Sequence, residues 1–113
     1  MYTLKLNYHF DAAHRLMLNY ESACTNIHGH RWDVLIEIKS TKLNANGILI
    51  DFKQLKEIVN ELDHKMLNEI LDFNPTAENI SKYLHNKILK LNPQSKVKIT
   101  IWESPEASIT YSV

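Results

Sequence analysis

Three histidines have the spacing of a metal site built on β-strands. His28 and His30 lie two residues apart in an alternating segment, so both imidazoles project from the face that also carries Trp32 and Val34. His14 ends another alternating segment on its apolar parity. If the two segments pair, three neutral imidazoles meet with an open fourth position, which describes a catalytic zinc site. Each histidine considered alone would be an ordinary hydrogen-bonded one.

A cysteine and an Asp-His pair supply groups that can move protons. Cys24 lies four residues before His28 in a connection without apolar periodicity. Beside a metal or an imidazolium its pKa would fall and it could act as a base or nucleophile, whereas a lone cysteine is usually inert and buried. Asp63 and His64 offer matching partners, although an Asp-His pair is also common at a solvated helix end.

A carboxylate near the end of the chain is a candidate ligand anchor. Strand parity directs Glu103 inward with the apolar residues of its segment, where an unpaired charge costs free energy. There it could accept two parallel hydrogen bonds from an amino-heterocycle. The alternative is that the side chain bends out to water. The two remaining histidines of interest, His9 and His85, are predicted to lie at the surface.

Four strands and two helices must position these groups. Alternation of period two predicts strands over residues 2–14 and 28–39, and two more strands on either side of the Ser104-Pro105-Glu106 turn. Apolar spacing predicts a helix over about 52–62, with Asp51 as its N-cap, and a second helix that stops before Asn92-Pro93. A short extended piece is predicted at 47–50.

This order of elements predicts an α+β fold in which two helices cover one face of a four-stranded antiparallel sheet. The exposed sheet edges and the uncovered face favour oligomerisation. The length of 113 residues fits one domain over residues 1–113.

Composition excludes several classes of function. Thirteen basic and thirteen acidic residues give no net charge, which argues against nucleic acid and membrane surfaces as partners. The two glycines, Gly29 and Gly47, are too few and too far apart for a dinucleotide fingerprint or a P-loop. A single cysteine excludes an intrachain disulfide. With no apolar run long enough to span a membrane and no signal-peptide core, we expect a soluble cytoplasmic protein.

Six motifs in the same order resemble those of the 6-pyruvoyltetrahydropterin synthase and 6-carboxytetrahydropterin synthase (QueD) family. The resemblance covers nearly the whole chain, and the six motifs together are far more specific than any one of them. They are Phe10-Asp-Ala-Ala-His14-Arg-Leu, Cys24-x-x-x-His28-Gly-His30, Ile50-Asp-Phe52, Leu62-Asp-His-x-x-Leu-Asn68, Pro75-Thr-Ala-Glu-Asn79 and Trp102-Glu103 with Tyr111 beyond.

The resemblance implies a tunnelling fold (T-fold), in which trimers join their four-stranded sheets into a barrel and two trimers stack as a hexamer with sites at subunit interfaces. It implies three sets of site residues. The zinc ligands would be His14, His28 and His30; the proton-transfer group would be Cys24, Asp63 and His64; and the pterin would be anchored by Glu103 with Thr76 and Glu78 nearby. Thr76 equally has the position of a helix cap.

The spacing of Cys24 and His28 is that of the bacterial 6-carboxytetrahydropterin synthases. The implied activity is a zinc-dependent lyase that converts 7,8-dihydroneopterin triphosphate to 6-carboxy-5,6,7,8-tetrahydropterin, acetaldehyde and triphosphate, on the path to queuosine. Two alternatives remain open: a pyruvoyltetrahydropterin synthase that stops after triphosphate elimination, and a non-catalytic zinc- or pterin-binding module. Candidates for contacting the triphosphate are Arg15, Lys53 and Lys56, which could equally be solvated surface residues.

Overall fold

The computed structural model describes residues 1–113 and contains five strands and three α-helices. A one-turn 3₁₀ helix, Ala23–Thr25, lies in the connection between the first two strands. In chain order the elements are β1 (Tyr2–His14), β2 (His28–Ser40), α1 (Phe52–Asn60), β3 (Lys65–Met66), α2 (Leu67–Ile70), α3 (Ala77–Leu89), β4 (Lys96–Ser104) and β5 (Ala107–Ser112). The four long strands predicted from alternation are confirmed.

Strands β1 and β2 pair antiparallel over their full lengths, from Tyr2 opposite Ser40 to His14 opposite His28. Their even-numbered side chains face the core, as the alternation predicts. Phe10 and Trp32 are opposite each other in this register, are fully buried, and stack with ring centroids 5.5 Å apart. The pairing therefore carries one apolar row toward the end of the sheet where the histidines lie.

The sheet has five strands rather than the predicted four, in the order β3-β1-β2-β4-β5, and it is mixed because β3 runs parallel to β1. The additional strand forms where the chain after α1 is drawn against β1. The His64 N–H donates to the Asp11 carbonyl at 2.6 Å, and His64 itself has a φ of 57°. A strand of two residues is too short to produce an alternating pattern, so the sequence did not reveal it.

Helices α1 and α3 pack on the inward face of the sheet, and the buried apolar residues of strands and helices form one cluster. Asp51 caps α1 as predicted, because its carboxylate accepts from the Lys53 N–H at 2.9 Å. The helix ends at Asn60, two residues before the predicted end, although Leu62 is still fully buried. The four-residue α2 was not predicted.

Two further predictions are wrong. Residues 47–50 bend after a turn at 45–46 and do not form an extended piece; Gly47 has a φ of 78°, and the Asn44 side chain accepts from the N–H groups of Asn46 and Ile48. His85 is buried rather than at the surface, with its ring edge-on to that of Tyr111 at 4.9 Å. The reason is that α3 lies across both β4 and β5, which covers more of the helix than its apolar stripe.

None of the helices is long and apolar enough to cross a membrane.

Candidate metal centre and active site

The register of β1 and β2 gathers the three predicted histidines at one end of the sheet. His14 is directly opposite His28, and His30 is opposite Ala12, two positions further along the same face. The ring centroids are 4.5 Å (His14–His28), 5.2 Å (His14–His30) and 4.9 Å (His28–His30) apart. One ring nitrogen from each lies within 4.8 Å of the others. The cluster expected from strand parity is therefore present.

Two of the three rings are oriented by backbone carbonyls. His14 Nδ1 is 2.7 Å from the Pro75 carbonyl oxygen, and His28 Nδ1 is 2.7 Å from that of Asn26. A carbonyl oxygen only accepts, so each Nδ1 carries the proton and each Nε2 keeps its lone pair. Metal-ligating histidines are held in this way, through their second nitrogen.

The remaining nitrogens of the cluster provide the test of whether a metal fits. His14 Nε2 and His30 Nε2 are buried and have no hydrogen-bond partner. Leaving two polar atoms desolvated and unpaired is costly unless something uses their lone pairs. Three converging imidazoles, two of them with a buried and unpartnered Nε2, match the donor set of a three-histidine site for a divalent transition metal.

Burial favours the neutral form of two of these imidazoles, His14 and His30. Desolvation lowers the pKa of His14 below its ordinary value, against the opposing effect of the hydrogen bond to the Pro75 carbonyl, and it also lowers the pKa of His30. Trp32 forms the wall behind both rings, edge-on to His14 at 4.8 Å and to His30 at 5.3 Å. Its indole Nε1–H donates to the Ala12 carbonyl at 3.2 Å, which fixes that wall to β1.

Glu103 lies beside the histidine cluster because β4 contains a bulge. Trp102 is opposite Ser108 and Ser104 is opposite Ala107, so Glu103 is the extra residue between them. One of its carboxylate oxygens is 3.9 Å from His30 Nε2, and the side chain is about one-third exposed. Glu103 also lines a 210 Å³ cavity with Glu78 of α3; the other lining residues are Ala77, Ile101, Ala107, Ser108 and Ile109.

Thr76, the third residue predicted near this pocket, caps α3: its Oγ1 accepts from the Asn79 N–H at 3.1 Å. The hydroxyl is therefore a helix cap, as the alternative interpretation of Thr76 predicts.

The three cationic candidates do not gather at the histidine cluster. Lys56 lies over the ring of Tyr8, and Tyr8 is six residues before His14 in β1, which is a distance of about 20 Å along the strand. Arg15 and Lys53 are exposed.

Cys24 lies in the 3₁₀ turn that precedes β2. Ser22 caps this turn by accepting from the Cys24 N–H at 3.1 Å, and the Cys24 carbonyl accepts from the Leu16 N–H at 2.7 Å. The residue is partly buried and its thiol is free. It is not part of the histidine cluster, and within the chain it does not contact Asp63 or His64 through a hydrogen bond.

Asp63 and His64 contact each other on the turn between α1 and β3, with His64 Nδ1 2.8 Å from Asp63 Oδ2. The other carboxylate oxygen accepts from the Asp11 N–H at 2.8 Å, so the pair is attached to β1. The His64 side chain is 80% exposed. Its left-handed backbone conformation, uncommon outside glycine, marks the turn as a constrained feature.

Several residues that hold the cluster were not foreseen from the sequence. They are the carbonyl groups of Pro75 and Asn26, the bulge at Glu103, and two side-chain amides, Asn68 and Asn74, that bind the chain just after His14. Backbone carbonyls leave no sequence signal. The two asparagines did stand at motif positions or next to one, but nothing in their spacing indicated what they contact.

Comparison with known proteins places this arrangement in a family. The sequence profile described as 6-pyruvoyl tetrahydropterin synthase matches residues 3–113. The chain belongs to that family. The three-histidine cluster that can hold a metal therefore occurs in a member of the pterin synthase family.

Relatives within the family carry more than one name. A putative 6-carboxy-5,6,7,8-tetrahydropterin synthase of Pyrococcus horikoshii is 33% identical, over 87% of this chain and 82% of the relative. A dihydroneopterin monophosphate aldolase of Pyrococcus furiosus is 36% identical, over 88% of each. Identity at this level assigns the family, while the exact reaction differs between relatives that are similarly close.

The solved structure of Caenorhabditis elegans 6-pyruvoyl tetrahydropterin synthase superposes on this chain with a TM-score of 0.78 at 26% identity. The match covers 99% of this chain and 95% of that one. The α+β T-fold expected from the motifs is confirmed, with a five-stranded mixed sheet in this family member.

The contacts of Asp63 predict how its contribution to stability depends on pH. The Asp11 N–H, helped by the His64 ring, holds the pKa of Asp63 below its ordinary value of 3.8. A lowered folded-state pKa stabilises the fold at all pH values above the ordinary value, and this contribution disappears as the pH falls through the lower, folded value. Asp63→Asn should therefore be less stable than the wild type at pH 7, with a difference that shrinks below about pH 4.

Urea unfolding of the metal-free protein between pH 7 and pH 3 measures this difference. Asp72→Asn, which removes an exposed carboxylate, serves as the control. A deficit in Asp63→Asn that is the same at every pH would contradict the assignment of the charged form as the stabilising one.

Proposed function

We propose that this chain is a zinc-dependent lyase that converts 7,8-dihydroneopterin triphosphate and water to 6-carboxy-5,6,7,8-tetrahydropterin, acetaldehyde and triphosphate. The observation that carries the proposal is a cluster of three imidazoles, two with a buried and unpartnered Nε2, one of which lies 3.9 Å from Glu103, a residue that also lines a small pocket. A metal donor set and an acceptor for an amino-heterocycle are what such a reaction needs at adjacent positions. The Cys24 spacing and the relative named as a carboxytetrahydropterin synthase support the carboxy product.

Zinc would be held by His14, His28 and His30 through their Nε2 atoms. When bound, it supplies a Lewis acid that acidifies the hydroxyl groups and the adjacent carbon acid of the substrate side chain. The Pro75 and Asn26 carbonyls keep two of the rings in the tautomer that ligation requires. The Trp32 wall excludes water from the inner side of the cluster.

Glu103 would hold the pterin ring. A carboxylate can accept two parallel hydrogen bonds from the amino group and neighbouring ring N–H of a pterin, which fixes the ring in its plane. The bulge in β4 brings this carboxylate to the pocket that it shares with Glu78. Thr76, at the start of the same helix, would contribute by donating its hydroxyl proton, because the hydroxyl oxygen only accepts in capping the helix.

Proton transfer would use Cys24 as the base and the Asp63-His64 pair as the group that returns a proton. Within one chain the exposed His64 ring makes no hydrogen bond to Cys24, and the Asp63 carboxylate orients it. We infer that the catalytic set is completed between subunits, with the Asp63-His64 pair of one chain serving the Cys24 of another. This arrangement explains an Asp-His pair that is rigidly held yet exposed.

The sheet has edges at which such an oligomer could form. Residues 2–10 of β1 have no strand on their outer side, because β3 pairs only with Ala12 and Ala13, and β5 is open at the opposite edge. Joining these edges in a trimer would satisfy the free backbone groups, and stacking two trimers gives the proposed hexamer.

The zinc assignment predicts about one zinc ion per chain in the wild type. Replacing His14, His28 or His30 with Ala should each reduce the zinc content to well below half, because two imidazoles bind far more weakly than three. The control is His9→Ala, at an exposed position on the opposite strand face, which should retain full content. Elemental analysis after dialysis gives the answer, and full occupancy in all three site variants would refute the assignment.

Product analysis tests the reaction. The zinc-loaded protein should release acetaldehyde together with triphosphate from 7,8-dihydroneopterin triphosphate. Cys24→Ala should lower turnover about 10²- to 10⁴-fold with zinc retained, since that is the usual contribution of a positioned base. Glu103→Ala should instead weaken pterin binding more than it lowers turnover at saturating substrate, because it removes the acceptor for the pterin ring.

Three outcomes would contradict the proposal. Triphosphate without acetaldehyde would indicate a pyruvoyltetrahydropterin synthase. Turnover of 7,8-dihydroneopterin monophosphate in preference to the triphosphate would indicate an activity like that named for the Pyrococcus furiosus relative. Pterin binding without turnover of either would indicate a binding module.

Subunit mixing tests the shared catalytic set. Cys24→Ala and His64→Ala should each be nearly inactive as pure oligomers. When the two are co-expressed, about one quarter of randomly assembled sites would combine an intact Cys24 with an intact His64, and activity should return to about that level. Mixed oligomers that stay inactive, or a stable and active monomer in sedimentation, would contradict the arrangement.

A further inference from the structure

The chain just after His14 is held by two side-chain amides rather than by a strand. Asn68 accepts from the Arg15 N–H and donates to the Arg15 carbonyl, both at 2.9 Å. Asn74 accepts from the Met17 N–H at 2.8 Å and donates to the Met17 carbonyl at 3.0 Å. A primary amide offers one acceptor and a donor side by side, which is the same pair that a neighbouring peptide unit would present.

These amides continue the outer edge of β1 beyond its last residue. The edge is first paired with β3 at Ala12 and Ala13, then with Asn68 at Arg15, and then with Asn74 at Met17. His14 lies between the β3-paired segment and the first amide. Its backbone is therefore fixed on both sides, although regular structure ends at this residue.

Asn74 also fixes the group that orients the His14 ring. The Asn74 carbonyl accepts from the Thr76 N–H at 2.8 Å and from the Asn79 amide at 2.9 Å, which ties the residue to the start of α3. The next carbonyl along the chain, that of Pro75, is the acceptor of the His14 Nδ1–H. One short loop thus holds both the backbone beyond His14 and the second nitrogen of its ring.

We propose that Asn68 and Asn74 are positioning residues for the metal ligand His14. Resting on the metal site of the proposed function, this inference assigns a role to two side chains that touch neither the metal nor the substrate. Without the amides, Arg15 and Met17 lose their only partners on that edge, and the chain beyond His14 is no longer joined to the loop that carries the Pro75 carbonyl. The Nε2 atom then no longer converges with those of His28 and His30.

The test measures zinc affinity by competition with a chromogenic chelator for the wild type, Asn68→Ala and Asn74→Ala. Loss of a group that orients a ligand typically weakens metal binding 10- to 100-fold, and that loss is expected for both variants. The matched control is Asn44→Ala, which also removes two side-chain-to-backbone hydrogen bonds in a loop, but away from the cluster. The control should retain zinc affinity within about twofold, even if the thermal stability of its metal-free form falls as much.

A second readout does not require metal. In the metal-free, ¹⁵N-labelled protein, the hydrogen-bonded Nδ1–H of His14 should give a protected imidazole resonance in the wild type and in Asn44→Ala, and this resonance should be lost in Asn74→Ala. If Asn74→Ala does not fold, Asn74→Asp is used in its place, because it keeps an acceptor for the Met17 N–H and removes the donor to the Met17 carbonyl.

The outcomes are separable from those of the proposed function. Wild-type zinc affinity in the asparagine variants, or a loss of equal size in Asn44→Ala, would overturn the positioning role and leave the zinc site intact. A wild type that binds no zinc would overturn both proposals. Retention of the protected His14 resonance in Asn74→Ala or Asn74→Asp would also overturn the positioning role.

Discussion

The pairing register of β1 and β2 is the constraint on which the rest of the site depends. Side chains alternate between the two faces of a strand, so a slip of one residue along β1 would turn His14 to the outer face while His28 and His30 stayed inside. A slip of two residues would keep the face but move His14 about 7 Å along the strand. The thirteen-residue pairing, with Phe10 stacked on Trp32 in the core, leaves only one alignment that buries the apolar row. The same burial desolvates the imidazoles, and a bound metal would offset that cost.

Around this register, the other groups are brought in by irregular structure. The bulge in β4 supplies Glu103, the Asn74-Pro75-Thr76 loop supplies the acceptor for His14, and the turn after α1 supplies Asp63 and His64. Regular elements thus place the metal ligands and loops orient their rings, while a bulge and a turn place the groups proposed to contact substrate. Loops can change without disturbing the β1–β2 pairing, so relatives that share this fold can differ in the reaction for which they are named.

The parts of the molecule that were predictable share a local signal. Alternation revealed the long strands and the common face of His14, His28 and His30, and Asp51 was recognisable as a cap from the few residues around it. The parts that were not predictable depend on contacts distant in sequence. A two-residue strand, a carbonyl 61 residues away from its histidine, and the burial of His85 under β5 leave no periodic pattern along the chain.

The zinc edge X-ray absorption spectrum of the zinc-loaded protein tests the central claim most directly, because it reports the atoms bound to the metal. The account predicts three imidazole nitrogens and one oxygen at about 2.0–2.1 Å, with Cys24 left free to act as a base. A sulfur scatterer at about 2.3 Å would mean that Cys24 is a ligand rather than a base, and fewer than three imidazoles would mean that the register of β1 and β2 does not build the site.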